Sequence, residues 1–309
     1  MLERCERILR EGSKSFAQAA RFFEPKTREA ACLLYAWCRH CDDEIDGESL
    51  GHDRQATSLA QRQRRLERLQ DQTRRALAGE SMGDPVFSAF ARVAKEHAIP
   101  ERYPLELLEG FAMDVEGRHY ATLEDLLPYC YHVAGTVGLM MSHIMHADDE
   151  WSLQRAADLG IALQMTNIAR DVIEDARCGR IYLPELWLDE AGVPAGQITQ
   201  PQHRGRVATV AARLLAEADR YYASGDQGLT RLSFRSAWAV AVARGVYSEI
   251  GRRVRALGAQ AWDRRVIVGR AGKLAWVARG LVDAAAARTL PQRGSSVPRA
   301  ALWTKRRLD

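Results

Sequence analysis

Asp42 and Asp46 stand four residues apart in the run Asp42-Asp43-Glu44-Ile45-Asp46, and Asp171 and Asp175 repeat that spacing after Asn167-Ile168-Ala169-Arg170. Four residues is about one helical turn, so each pair points from one face of its helix. A single acidic helix end describes solvated surface. The second pair changes that reading. Gly160, Gln164, Asn167, Asp171 and Asp175 follow one another on one polar face, with Ile161, Leu163, Ile168 and Val172 around it. A helix apolar on several sides is buried, and buried carboxylates need cations. Two facing pairs suit Mg²⁺, with Mn²⁺ as a substitute, because such ions share carboxylates with phosphate oxygens. The ions would neutralise a departing diphosphate. Arg39, Arg170, Arg265 and Lys14 are the candidate cationic clamps. Ser13 and Ser15 flank Lys14 at a helix start, where backbone N–H groups favour phosphate. A calcium loop is the rival for the first motif. Asp42, Glu44, Asp46 and Gly47 match its opening, but Ser49 and Asp53 stand where an apolar residue and the bidentate Glu belong.

Further residues suit a reactive cation with a long apolar chain. In Tyr129-Cys130-Tyr131-His132-Val133-Ala134-Gly135-Thr136-Val137-Gly138, the glycines admit either a neighbouring helix or a prenyl chain. Tyr131, one turn before Gly135, offers an aromatic face to a carbocation, whereas His132 reads as a packed or capping residue. Cys32, Tyr35 and Arg39 precede Asp42 on one side of their helix. At about 1.5 Å per residue, Cys32 lies about 15 Å deeper than Asp42. Small Cys32 and Ala20 are therefore expected to floor a deep pocket.

The elements that must hold these residues are helical. Apolar period and end signals predict helices over 25–46, 122–145, 152–177, 204–224, 233–257 and 271–288, with a long connection at 183–205. About ten helices in one all-α domain over 1–290, followed by a basic tail at 291–309, are expected. The 309 residues, 47% of them hydrophobic, allow one large core. Lys+Arg 44 against Asp+Glu 40 is a mild excess, and the arginines of 62–75 alternate with Glu67 and Asp71 beside Leu59, Leu66, Leu69 and Leu77, which argues against nucleic acid. Six cysteines, a charged start and a lone Cys38-x-x-Cys41 suit a reduced, cytoplasmic setting, with packing as the pair's role. No apolar run is long enough to span a membrane. The basic tail with Leu302 and Trp303 suggests peripheral contact with anionic lipid at the inner membrane face.

These residues fall in motifs that resemble the squalene/phytoene synthase family, bacterial phytoene synthases above all. The motifs are GSKSF at 12–16, LYAWCRHCDDEID at 34–46, EGFAMD at 109–114, YCYHVAGTVGLMM at 129–141 and QMTNIARDVIEDARCGRIYLP at 164–184. The resemblance implies an isoprenoid-synthase helical bundle around a central cavity, and Mg²⁺-dependent head-to-head condensation of two geranylgeranyl diphosphates to phytoene without NADPH. A cyclopropyl diphosphate would be the intermediate. It implies Asp42, Asp46, Asn167, Asp171 and Asp175 as metal ligands. Ser13, Lys14, Ser15, Arg39, Gln164, Asn167, Arg170 and Arg265 would hold diphosphate, with Arg264 as an alternative to Arg265. Tyr35, Tyr131, Tyr182 and Tyr247 would line the cation pocket. A downstream phytoene desaturase is an implied partner. The alternatives are a squalene or dehydrosqualene synthase using farnesyl diphosphate, and a non-enzymatic assembly relative, against which the four aspartates argue.

Overall fold

A computed structural model of the chain describes residues 2–47, 58–289 and 299–305. Ser49, Asp53, Arg293 and the expected 290/291 boundary lie outside them. Among the described residues there are thirteen α-helices and no strand, three helices more than the sequence suggests. They run α1 Leu2–Gly12, α2 Lys14–Ala20, α3 Pro25–Asp46, α4 Leu59–Leu77, α5 Pro85–Glu96, α6 Arg102–Val115, α7 Leu123–Cys130, α8 Thr136–Ile144, α9 Glu150–Arg177, α10 Glu185–Glu190, α11 Arg204–Gln227, α12 Phe234–Leu257 and α13 Arg270–Thr289. The connection at 183–205 contains α10 and two short 3-10 turns.

Local chemistry sets the ends. Pro25 opens α3, and Gly47, at φ 68°, closes it with its N–H on the Asp43 carbonyl. Thr122 and Asp125 form a reciprocal cap before α7. The expected single helix over 122–145 is broken by a π turn at Tyr131–Gly135. Helix α9 forms the central post, packed by α8, α11, α12 and the π turn. Its crossing with the π turn and α8 is close because a Cβ on Gly160 would meet the Ala134 carbonyl, and one on Gly138 the Ala156 carbonyl.

One expectation about surface segments changes. Arg64, Arg68, Arg74 and Arg75 of α4 stay exposed, while Arg62 donates to the Asp114 carbonyl at 3.2 Å and Arg65 to that of Glu44 at 3.0 Å. Leu66 and Leu69 are buried, but Leu59 is exposed. In the tail, the pair suggested as a lipid anchor packs inward instead. Leu302 is buried, and the Trp303 ring lies 5.6 Å from that of Tyr131. Arg299 meets the wholly buried Asp158 at 2.7 Å and Lys305 meets Glu106 at 2.8 Å. A buried carboxylate such as Asp158 needs a cation beside it.

Candidate active site

One cavity of about 640 Å³ runs through the bundle between α3 and α9. Asp42 and Asp46 enter it from α3, and Asp171 and Asp175 from α9. Asp114 of α6 and Glu174 add to the acids. Arg39, Arg170, Arg180 and Arg265 share this end. The rest of the wall is mainly aliphatic and aromatic, including Leu9, Phe16, Ala20, Leu34, Met141 and Leu163, with Ser142, Ser152 and Arg155 as polar members.

The arginines already hold part of the negative charge. Arg39 bridges Asp42 at 3.0 Å and Asp43 at 2.8 Å, so Asp43 is turned away and Asp42 is the member of that pair that faces the cavity. Arg180 grips both oxygens of Asp46, one at 2.9 Å. Arg170 donates through Nε to Asp171 at 2.8 Å, and Arg265 reaches the same carboxylate at 3.1 Å and Glu174 at 2.9 Å. The cavity thus receives Arg265, while Arg264 is an exposed neighbour.

Acid nevertheless remains in excess. Asp175 is pushed up to about 8, chiefly by burial and then by the charge of Asp171. Asp42 is pushed up to about 7 by burial, against the pull of Arg39. Its side chain keeps 43% of its surface open, but onto a cavity walled by protein, which solvates a charge poorly. Asn167 donates to Gln164 at 3.2 Å and leaves its own buried Oδ1 without a donor. Under-compensated carboxylates and an orphaned acceptor on one wall fit added cations. Among the described residues no three ligating side chains already form a closed cluster. Ions bound here would therefore take further oxygens from a ligand, as Mg²⁺ does with phosphates.

The aromatic residues sort less as the sequence suggests. Tyr35 and Tyr182 line the cavity, whereas Tyr131 does not. Its hydroxyl donates to Glu106 at 2.7 Å on the far side of the π turn, under Trp303. Tyr129 takes the inward place. Two residues along a helix is a rotation of about 200°, so the two tyrosines cannot share a side. Tyr129 and Tyr182 stack at 4.9 Å and donate to the two oxygens of Asp114 at 3.0 and 2.7 Å. The hint was the series Tyr129, Val133, Val137 and Met141 at steps of four, all in the wall. In an α-helix each such step drifts by about 40°, and the additional residue of the π turn offsets it. Arg180 and Asp114 were also missed as site residues. Arg180 follows Gly179, at φ 78°, beyond the end of α9, where helical period carries no information.

Tyr247 lies behind the wall, 5.3 Å from the ring of Phe16 and beside Ser13 and Arg170. Ser13 caps α2 by accepting from the Phe16 N–H at 3.3 Å. Lys14 lies close enough to Lys273 for their charges to oppose each other. Ser13, Lys14 and Ser15 thus stand at the α1–α2 junction and are not in the wall. Of the expected pocket floor, Ala20 lines the cavity but Cys32 does not. Cys32 is buried toward Cys5 and Glu6 of α1, and Ala31 takes its place. At 100° per residue, Ala31 lies about 20° from the Asp42 direction and Cys32 about 80° from it.

This all-α bundle around one cavity with two acidic pairs is an isoprenoid-synthase fold. The squalene/phytoene synthase family model matches residues 9–272. The chain belongs to the squalene/phytoene synthase family. It is 50% identical to the 15-cis-phytoene synthase of Pantoea ananas over 82% of each chain. It is 48% identical to the phytoene synthase of Pseudescherichia vulneris over 89% of each. A crystal structure of a dehydrosqualene synthase with ligand superposes with a TM-score of 0.81 at 27% identity, covering 90% of this chain and 94% of that one.

Proposed function

We propose that the protein is a phytoene synthase, a prenyltransferase that condenses two geranylgeranyl diphosphates head to head. One observation carries this reading: a single cavity offers carboxylates and arginines at one end and a long apolar wall beyond. Its relatives of 47–50% identity are named phytoene synthases.

Asp42, Asp46, Asn167, Asp171 and Asp175 would hold Mg²⁺, or Mn²⁺ in its place. Bound there, the ions supply Lewis-acid neutralisation of the leaving diphosphate. Arg39, Arg170, Arg180 and Arg265 would orient the diphosphates through charge-assisted hydrogen bonds. Gln164 and the Ser13–Lys14–Ser15 junction would serve the same end. Tyr35, Tyr129 and Tyr182 present aromatic groups to the allylic cation, with Tyr247 behind them. The apolar walls exclude water that would otherwise trap that cation. The first diphosphate departs, the double bond of the second substrate attacks the cation, and loss of a proton as the three-membered ring closes gives a cyclopropylcarbinyl diphosphate. A second ionisation, rearrangement and proton loss then give phytoene, a sequence that consumes no NADPH. The protein would work in the cytoplasm at the inner membrane face and pass its product to a desaturase.

Incubating purified protein with Mg²⁺ and either geranylgeranyl or farnesyl diphosphate, and identifying the hydrocarbon, tests this. Phytoene from the longer substrate is the expected result. A preference for farnesyl diphosphate giving squalene or dehydrosqualene would overturn it. That second reading draws on the dehydrosqualene synthase that shares the fold.

A further inference from the structure

Seven large apolar side chains stand exposed among the described residues, and four of them fall within one short stretch: Ile267, Leu274, Leu281 and Val282. Helix α13 attaches to the body by a narrow edge. Only Gly280 and Ala284 are buried along it. A Cβ on Gly280 would meet Val242 of α12 at 2.8 Å, and Trp276 sits against Gly245. On the opposite side Leu274, Ala275, Ala278, Leu281, Val282 and Ala285 are all exposed. At 100° per residue they fall within about 120° of one another and centre roughly opposite Gly280. The helix is therefore apolar on two opposite sides and covered on one. A continuous exposed apolar stripe of this kind marks a contact surface.

Charge around the stripe selects the contact. Helix α13 itself carries Arg270, Lys273, Arg279 and Arg288 but a single acid, Asp283. Arg244 and Arg279 already pair with that acid at 3.2 and 2.9 Å. A second copy of the chain would bring a rim of the same sign against this one. An anionic lipid surface matches both the aliphatic face and the basic rim. No helix of the described residues is long and apolar enough to cross a membrane, so the contact would be interfacial.

We propose that the outward face of α13, and not the C-terminal tail, is the surface by which this protein rests on an anionic bilayer. The proposal rests on the peripheral placement given above and names the surface responsible. Beneath that face α13 packs on α12, which gives Ala239, Val240 and Ala243 to the cavity wall. A bilayer at this face would lie two helices away from the cavity.

The test is co-sedimentation of the full chain with vesicles of phosphatidylcholine alone and of phosphatidylcholine with phosphatidylglycerol, in the absence of any substrate. The wild type is expected to bind the anionic vesicles more strongly. Leu274→Gln/Val282→Gln should weaken that binding by about tenfold or more. Its helical circular dichroism and its turnover of detergent-dispersed substrate should stay unchanged. Arg270→Glu/Lys273→Glu should remove the preference for the anionic vesicles. A wild type that stays in the supernatant with both vesicles would overturn the proposal. So would a double glutamine variant that sediments like wild type. So would a dimer in light scattering that this variant turns to monomer without a change in vesicle binding, because a second copy would then cover the stripe. Binding is read without catalysis, so failure of the condensation assay would leave this outcome separately legible.

Discussion

At Asp171, two arginines converge on one carboxylate that also faces its counterparts on α3 across the cavity. Asp171→Asn and Asp46→Asn should each lower kcat by orders of magnitude with helicity retained, because the lost charge acts mainly in the ionising transition state. EDTA should abolish turnover and Mg²⁺ should restore it. Full activity of either variant would refute the assignment. The tyrosines offer a sharper comparison. Tyr129→Phe removes a donor to Asp114 inside the cavity, and Tyr131→Phe removes one to Glu106 outside it. The first should reduce kcat by at least about tenfold, since a hydrogen bond to a charged group is worth ~1.5–3 kcal/mol. The second should leave kcat within about threefold, and the reverse order would place the reactive centre on the other side of the π turn.

At the scale of elements, the crossing of α9 with α8 and the π turn sets the shape of the wall. A methyl on Gly160 would run into the Ala134 carbonyl, and backbone cannot swing aside as a flexible side chain can. Gly160→Ala should therefore cost about 1–3 kcal/mol and lower Tm. An unchanged melting curve would show that the helices separate freely. Ala20 and Ala31 bring α2 and α3 into the cavity wall, where chain length would be set. Ala20→Phe and Ala31→Phe place bulk in the cavity and should shift kcat/KM toward farnesyl diphosphate. Cys32→Trp should instead destabilise the α1–α3 contact with little change in that ratio, because Cys32 faces α1. Measuring kcat/KM for both diphosphates beside Tm separates the two effects. A selective effect of Cys32→Trp alone would return the floor to that residue.

Over the whole molecule, residues 299–305 fasten α6, the π turn, α9 and α11 together. Arg299 meets Asp158, the Trp303 N–H donates to the Tyr221 hydroxyl at 3.1 Å, and Lys305 meets Glu106. Arg299→Ala strips the wholly buried Asp158 of its nearest cation and should cost about 3–5 kcal/mol. Burial pushes Asp158 up to about 6, despite Arg299 and Ser224. The folded chain thus holds this proton at pH values where the unfolded chain, with a carboxylate pKa of about 3.9, has lost it. Between about pH 4 and about pH 6 this group's contribution to stability falls as pH rises. Subtracting the Asp158→Asn stability curve from that of wild type isolates the contribution. A difference that grows in favour of wild type as pH rises would contradict the assigned direction.

Period and chemistry along the chain sufficed for the helical class, the two acidic spacings and the ends of the long helices such as α3, α9 and α12, because these depend on residues within a turn or two of each other. Asp42, Asp46, Asp171 and Asp175 were legible for that reason, and they do enter one cavity. Tertiary structure decided which side of each helix that cavity occupies. Tyr129 replaced Tyr131 because a π turn shifted the register, and Ala31 replaced Cys32 because α1 claimed the Cys32 side. Arg180 joined Asp46 across 134 residues of sequence, with no periodic signal to announce it. Trp303 turned inward while the apolar face of α13 stayed open. A helix pattern states that a stripe must be covered, but only the packing of the other helices determines what covers it.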